Sequence, residues 1–339
     1  MASRIGRYTM KLDKPAAILG YASVVGKKEG EGPLARQFDF IAEDTTFGEK
    51  TWEKAESRMQ ANVLEAALKK ANVTPGTVDI IFAGDLINQC IISSYALRES
   101  GIPFVGLFGA CSTMAESLAL ASLMVESGFA NTTAALTSSH FCSAERQYRF
   151  PLEYGGQRSQ SSQWTVTGSG CVILSSEGRG PYIHEVSFGK ITDLGIKDSN
   201  NMGAAMAPAA ADTIMSYVKD TNANLSDFDL IATGDLGFVG SELLKSLLEK
   251  EGMSLGANYE DCGLLIYDRE KQDVHSGASG CGCSASVLCS YILNNMRSGN
   301  LNEVLFIATG ALMSPISIQQ GESIPSIAHL VHLSNKPQA

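Results

Sequence analysis

Apolar positions along the chain alternate between two periods. Short apolar runs of strand length end in small-residue turns, and between them apolar residues fall at helical spacing. Trp52–Lys70 puts Met59, Val63, Leu64, Ala67 and Leu68 on one face of a helix. The run after it, Val78–Leu86, reads VDIIFAGDL, a short strand closing in a Gly-Asp turn. The same order returns later, with a helix-like stretch at Pro208–Lys219 followed by Phe228–Leu236, which reads FDLIATGDL. The two runs lie 150 residues apart and agree at five of nine positions: Asp79/Asp229, Ile81/Ile231, Gly84/Gly234, Asp85/Asp235 and Leu86/Leu236.

The correspondence continues. Residues 109–139 and 280–310 are each a Gly/Cys-rich turn, a helix, a Ser-Gly pair and a strand. Gly128 and Gly299 follow Ser127 and Ser298 at the helix ends, where glycine tolerates the left-handed conformation of a C-cap. Strands are predicted at Thr133–Thr137, Val304–Ala308 and Cys171–Ser175. Glu242–Lys250 reads as an amphipathic helix with Leu243, Leu244, Leu247 and Leu248 toward the core. Internal duplication of this kind implies an α/β fold built from two similar halves, 1–190 and 191–339, with sheets covered on both faces.

Composition narrows the function. The chain has 339 residues, 44% hydrophobic and 18% charged, so it can bury a large core. Its net charge of −10 argues against nucleic acid as a partner and gives no general attraction to anionic lipid. No apolar run reaches the ~18 residues of a membrane span; Met114–Val125 is broken by Glu116, and Met1–Lys14 holds no apolar signal core. The eight cysteines show no zinc spacing, and a chain of this size needs no disulfide framework. The expectation is a reduced, intracellular protein with mostly structural cysteines.

Cys111 differs from the rest. In Phe108-Gly109-Ala110-Cys111-Ser112 it sits between a strand and a helix, where the helix dipole favours thiolate and anions. Two readings stay open, a nucleophile or anion contact and a small residue required by a tight turn. Asp85 and Asp235 can each cap the helix after their turn. Cys281-Gly282-Cys283 lacks the further ligands a metal would need, and packing in a tight turn is its simplest reading.

A cysteine opening a helix within GACST, in a duplicated half, resembles the thiolase and ketoacyl-synthase superfamily. Thr167–Leu174, TGSGCVIL, is similar to the glycine-rich segment of ketoacyl synthases without its acid. The stretches GPLARQFD, FAGDLINQ, FGACSTMAES, TSSHFCSAERQYRFPLEYGGQ, MGAAMAPAAADTI, DCGLLIYD, SGCGCSAS and ESIPSIAH, spanning Gly32–His329, resemble one branch, the stage V sporulation protein AD family. The resemblance implies a layered αβαβα thiolase-like fold and a non-catalytic protein that binds dipicolinic acid (pyridine-2,6-dicarboxylate), free or as its calcium chelate, and uses no cofactor. It further implies a place at the periphery of the spore inner membrane. There the protein would act with membrane proteins of the same operon to take up calcium dipicolinate in sporulation and release it in germination. A homodimer is expected by analogy.

The superfamily's condensing chemistry needs a nucleophile, a base and donors to an oxyanion. The resemblance puts Asp235 where an imidazole or amide is expected, and Cys281 where an Asn is expected. An acceptor-only carboxylate cannot stabilise an oxyanion. In a competing register, Val274–Gly280 resembles the GHPxGASG of thiolases, with His275 close to Cys111. That register supports the alternative of an acyl transferase with Cys111 as nucleophile and His275 as base; otherwise His275 is an exposed residue at a strand end. For a planar dianion the cations His140, Arg146 and Arg149 are candidates, with Tyr148, Phe150 and Tyr154 for stacking, unless Glu145 merely pairs an Arg in a solvated loop. Cys111, Asp235, Cys281 and Cys283 complete the expected binding set, the last through the amides of its helix N-terminus.

Overall fold

A computed structural model describes residues 2–148 and 157–337. The first half contributes strands β1 (Thr9–Val25), β2 (Ile80–Gly84), β3 (Phe104–Leu107), β4 (Thr132–Ser139) and β5 (Gly168–Ser175). The second contributes β6 (Tyr182–Phe188), β7 (Leu230–Thr233), β8 (Tyr259–Asp261), β9 (Glu303–Ala311) and β10 (Ser326–Ser334). Their spatial orders are the same, β3-β2-β4-β5-β1 and β8-β7-β9-β10-β6, and β1 pairs with β6 to join them. The parallel and antiparallel pairings also correspond one for one. The second half therefore opens at β6, ahead of residue 190.

The helices complete five layers. α1 (Trp52–Ala71) covers the outer face of the first sheet. Between the sheets lies α2 (Thr113–Glu126), and the short α3 (Phe141–Tyr148) follows β4 and touches α1. In the second half α4 (Met202–Thr221), with α5 (Gly237–Lys250), covers the outer face, and α6 (Cys281–Val287) joins α2 between the sheets. α2 packs on β9 and β10 as well as its own sheet, and α6 packs on β4 and β5 of the other half. A helix enclosed on both sides must be apolar or small all round. Every residue of α6 is buried, and a Cβ on Gly282 would stand 2.3 Å from the Gly168 carbonyl oxygen.

Local chemistry explains why the repeat recurs. Asp79 accepts from the amides of Asn131 (2.7 Å) and Thr132 (3.0 Å), tying β2 to the start of β4. Asp229 does the same for Asn302 (2.6 Å) and Glu303 (3.1 Å) before β9. Gly128 and Gly299 have φ of 75° and 78°, as expected of left-handed caps. One expectation is corrected. In α5 only Leu244 and Leu248 are fully buried, while Leu243 is 39% exposed, because the helix packs chiefly against α4 and buries a narrower stripe than four leucines would fill.

Candidate functional site

The two inner helices begin at the same place, one from each half, and the candidate site lies there. The chain leaves β3, passes Ala110 at φ 49°, and makes a single 3₁₀ turn, Ala110–Ser112, into α2. Neither the turn nor α2 has a side-chain cap. Cys111 in this turn is 5% exposed and lines a narrow cavity of about 40 Å³. The other lining residues are Leu86, Ala110, Ala144, Tyr148, Thr165, Met202, Ser279, Ala311 and Met313. The walls are thus largely apolar, with hydroxyls from Tyr148, Thr165 and Ser279. No lining residue among those described is cationic.

Asp235 stands behind the thiol with no exposed surface. It accepts from the Gly280 amide (2.8 Å) and the Thr309 hydroxyl (3.0 Å), and it lies near enough to the Cys111 thiol for each to shift the other's titration. Burial raises its pKa to about 7 against these donors. The Cys111 thiol is itself pushed well above its ordinary value, by burial first and then by the negative charge of Asp235. This is the reverse of activation, since a nucleophilic cysteine needs a partner that favours thiolate. Cys281 joins Cys111, Leu86, Ala110 and Ala144 in one apolar cluster and donates to the Ser138 carbonyl (2.9 Å). Cys283 lies in the core between the sheets, 3.5 Å from the Gly234 carbonyl oxygen. All eight cysteines are free thiols.

The first copy of the turn is closed on itself. Asp85 accepts from the amides of Ile87 (3.0 Å) and Ser93 (2.9 Å) and from the Ser93 hydroxyl (2.7 Å), the capping role open to it from sequence. Beside it, Glu56 accepts from Ser138 (3.0 Å) and Ser143 (2.6 Å), and burial plus the neighbouring Asp85 raise its pKa. In the second half that capping work belongs to Asp261, which accepts from the amides of Leu236 and Gly237 (both 2.9 Å) and of Gly263 (3.0 Å). Asp261 was not legible as a site residue, although an Asp directly before a short helix is a recognisable N-cap. Its presence frees Asp235 to face Cys111.

Several expected contacts are corrected. His140 is fully buried, donates from Nε2 to the Thr45 carbonyl (2.7 Å) and accepts at Nδ1 from the Cys142 amide (3.1 Å). Burial lowers its pKa, so it brings no positive charge. Arg146 is half exposed, paired with Glu53 and set over the Trp52 ring. Neither lines the cavity. Arg149, Phe150 and Tyr154 lie outside the described residues. Tyr148 does line the cavity, its hydroxyl donating to the Leu86 carbonyl. His275 is not a lining residue either; its ring nitrogens meet the Ser159 carbonyl (2.7 Å) and Asp273 (2.9 Å), with the backbone at φ 49°. The register that would place it at Cys111 is therefore not the one adopted, and Cys281 occupies that side of the site. Met202 and Met313, from the second half, carried no sequence signal because a lone Met reads as core.

Comparison with known proteins agrees with this fold. By structure, the chain is similar to 3-oxoacyl-[acyl-carrier-protein] synthase III from Aquifex aeolicus, with TM-score 0.57 and 13% identity, covering 94% of this chain and 99% of that one. It is also similar to a single-substitution variant of OleA from Xanthomonas campestris, with TM-score 0.59 and 12% identity, covering 96% and 99%. Human mitochondrial 3-ketoacyl-CoA thiolase gives TM-score 0.54 at 13% identity, covering 96% and 99%. These likenesses establish the thiolase-like fold. By sequence, the chain is 46% identical over 324 residues to stage V sporulation protein AD of Bacillus subtilis (strain 168), covering 96% of each. The family profile of stage V sporulation protein AD matches residues 6–334, and the chain belongs to that family of sporulation proteins.

Proposed function

We propose that the chain binds pyridine-2,6-dicarboxylate, free or as its calcium chelate, in the cavity at Cys111, and carries out no chemistry on it. The observation that carries this reading is the Cys111–Asp235 contact. The thiol at the nucleophile's position faces a carboxylate that opposes its ionisation, and a narrow cavity lies beside it. An imidazole or amide donor in place of Asp235 would be needed to stabilise the oxyanion of acyl transfer.

The lining suits a flat ring with polar ends. Apolar walls and the Tyr148 ring take the pyridine, while Thr165, Ser279 and the uncapped turn at Cys111 supply donors for carboxylates. The binding set is Cys111 with Asp235 and Cys281 behind it. Cys283 supports the turn from within the core, and His140 supports the start of α3, the helix that carries Ala144 and Tyr148. In the assembly, the chain would sit at the surface of the spore inner membrane and hand the ligand to membrane partners of the same operon during uptake and release. No helix among the described residues is long and apolar enough to cross a membrane, which is compatible with attachment through such partners. A homodimer would pair the exposed edge strand β3, where Val105 is 37% exposed, with its copy.

Thermal melting tests the reading. Millimolar dipicolinate should raise the melting temperature, benzoate should not, and Cys111→Trp should abolish the shift. Absence of any shift in the unaltered protein overturns it. Intact-mass detection of an acyl adduct at Cys111 with acyl-CoA would instead favour the acyl-transferase reading.

A further inference from the structure

A second cluster has none of its residues in the lining of the Cys111 cavity. Trp164 carries the Phe141 ring stacked at 3.8 Å between centroids and 8° between planes. Lys28 Nζ lies 4.0 Å and Arg158 Cζ 4.6 Å from the Trp164 centroid, so the indole serves two cations. Parallel stacking occupies one face, which leaves both cations to share the other. Two like charges beside one ring repel. Burial lowers the Lys28 pKa, and Arg158 contributes to that lowering.

One oxyanion position here is already filled from within the chain. Arg158 Nη2 meets the Asp273 carboxylate (3.2 Å) and donates to the Asp273 carbonyl (2.9 Å). The same carboxylate meets His275 Nε2 (2.9 Å), yet the Asp273 side chain is 72% exposed. The remaining donors are not matched. Arg158 Nη1 is buried with no hydrogen-bond partner among the described residues, and Lys28 Nζ reaches only the Asp273 carbonyl at 3.5 Å. An unpartnered buried guanidinium nitrogen is costly and calls for an acceptor.

We propose that Lys28 and Arg158, on the Trp164 face, form a binding site for a small oxyanion, a carboxylate or phosphate group, distinct from the Cys111 cavity. The anion bridges Lys28 Nζ and the partly exposed Arg158 guanidinium and relieves their mutual repulsion. Guanidinium geometry suits either group. Asp273 is the resident competitor, holding the neighbouring nitrogen of the same guanidinium. The protein's acidic net charge gives an anion no general attraction, so a local pair of cations favours its retention here.

Fluorescence tests this directly, because the chain has two tryptophans and Trp52→Phe leaves Trp164 as the reporter. At constant ionic strength, inorganic phosphate and acetate are titrated separately, and their two curves distinguish phosphate from carboxylate as the preferred group. A saturable change with at least one of them is expected, weakened about tenfold or more by Lys28→Met or Arg158→Met. Cys111→Phe, which fills the cavity without adding a second indole, should leave the response intact, so failure of the cavity reading and failure of this one are separable. Asp273→Asn should tighten binding by removing the competitor, a gain that a purely structural cluster would not produce. No saturable response to either anion overturns the proposal. So does a response unchanged in both Met variants, or one that Asp273→Asn leaves the same or weakens.

Discussion

The two halves repeat one turn and use it differently. Asp79 and Asp229 do identical work, each accepting from two amides that start the neighbouring strand. Six residues on, the copies part. Asp85 spends its oxygens on its own segment, at Ile87 and Ser93, whereas Asp235 reaches across to Gly280, Thr309 and the Cys111 thiol. What changed is the neighbour. Asp261, at the end of β8, caps the turn after β7 and leaves Asp235 available. The surroundings diverge too: α1 sets Glu56 and Gln60 into a buried polar network, while α4 places Met206 and Ala210 at the repeat-equivalent positions. One duplicated motif thus became a structural closure in one half and the backing of Cys111 in the other.

The sharpest way to break this comparison is to fill the cavity. Cys111→Trp should remove the dipicolinate-dependent melting shift entirely, and a retained shift would place the ligand elsewhere. Next in size is Asp85→Ala, which strands three buried donors and should cost about 3 kcal/mol in chemical denaturation while the ligand shift persists. Loss of the shift with little loss of stability would make the two aspartates alike. A smaller effect follows from the Asp235 pKa of about 7. A dianion is held best beside a protonated Asp235, so its affinity should fall as pH rises through that value, by up to about tenfold per unit. Affinity flat from about pH 6 to about pH 8, the range that brackets this titration, would remove Asp235 from the site. Smallest, Asp79→Ala and Asp229→Ala should each cost about 1–2 kcal/mol, and by similar amounts. Clearly unequal costs would show that the shared role is not shared in energy.

Much of the fold was legible because local chemistry repeats. Asp79, Gly128 and their copies mark strand starts and helix ends by short-range hydrogen bonding and backbone conformation, and such signals survive in a linear string. The cavity was legible in part. Of the residues expected from sequence, Cys111 and Tyr148 line the cavity, while Asp235 and Cys281 lie behind it. The cations themselves misled. His140 and Arg146 sit close to the site in sequence, yet one is buried neutral against Thr45 and the other is held by Glu53. A charge in a string does not reveal what neutralises it. Met202, Thr165, Ser279 and Met313 come from four separate segments, and no local pattern ties them to Cys111.

The amino-acid sequence by itself determined the duplicated α/β architecture, the family and the turn that presents Cys111. These depend on hydrophobic period, glycine conformation and hydrogen bonds between near neighbours. The tertiary structure alone decided which aspartate faces the thiol, which histidines stay away from it, and how far burial pushes Asp235 and Cys111. Those outcomes follow from desolvation and from distances between segments far apart in the chain, quantities that exist only once the two sheets have closed on their shared helices.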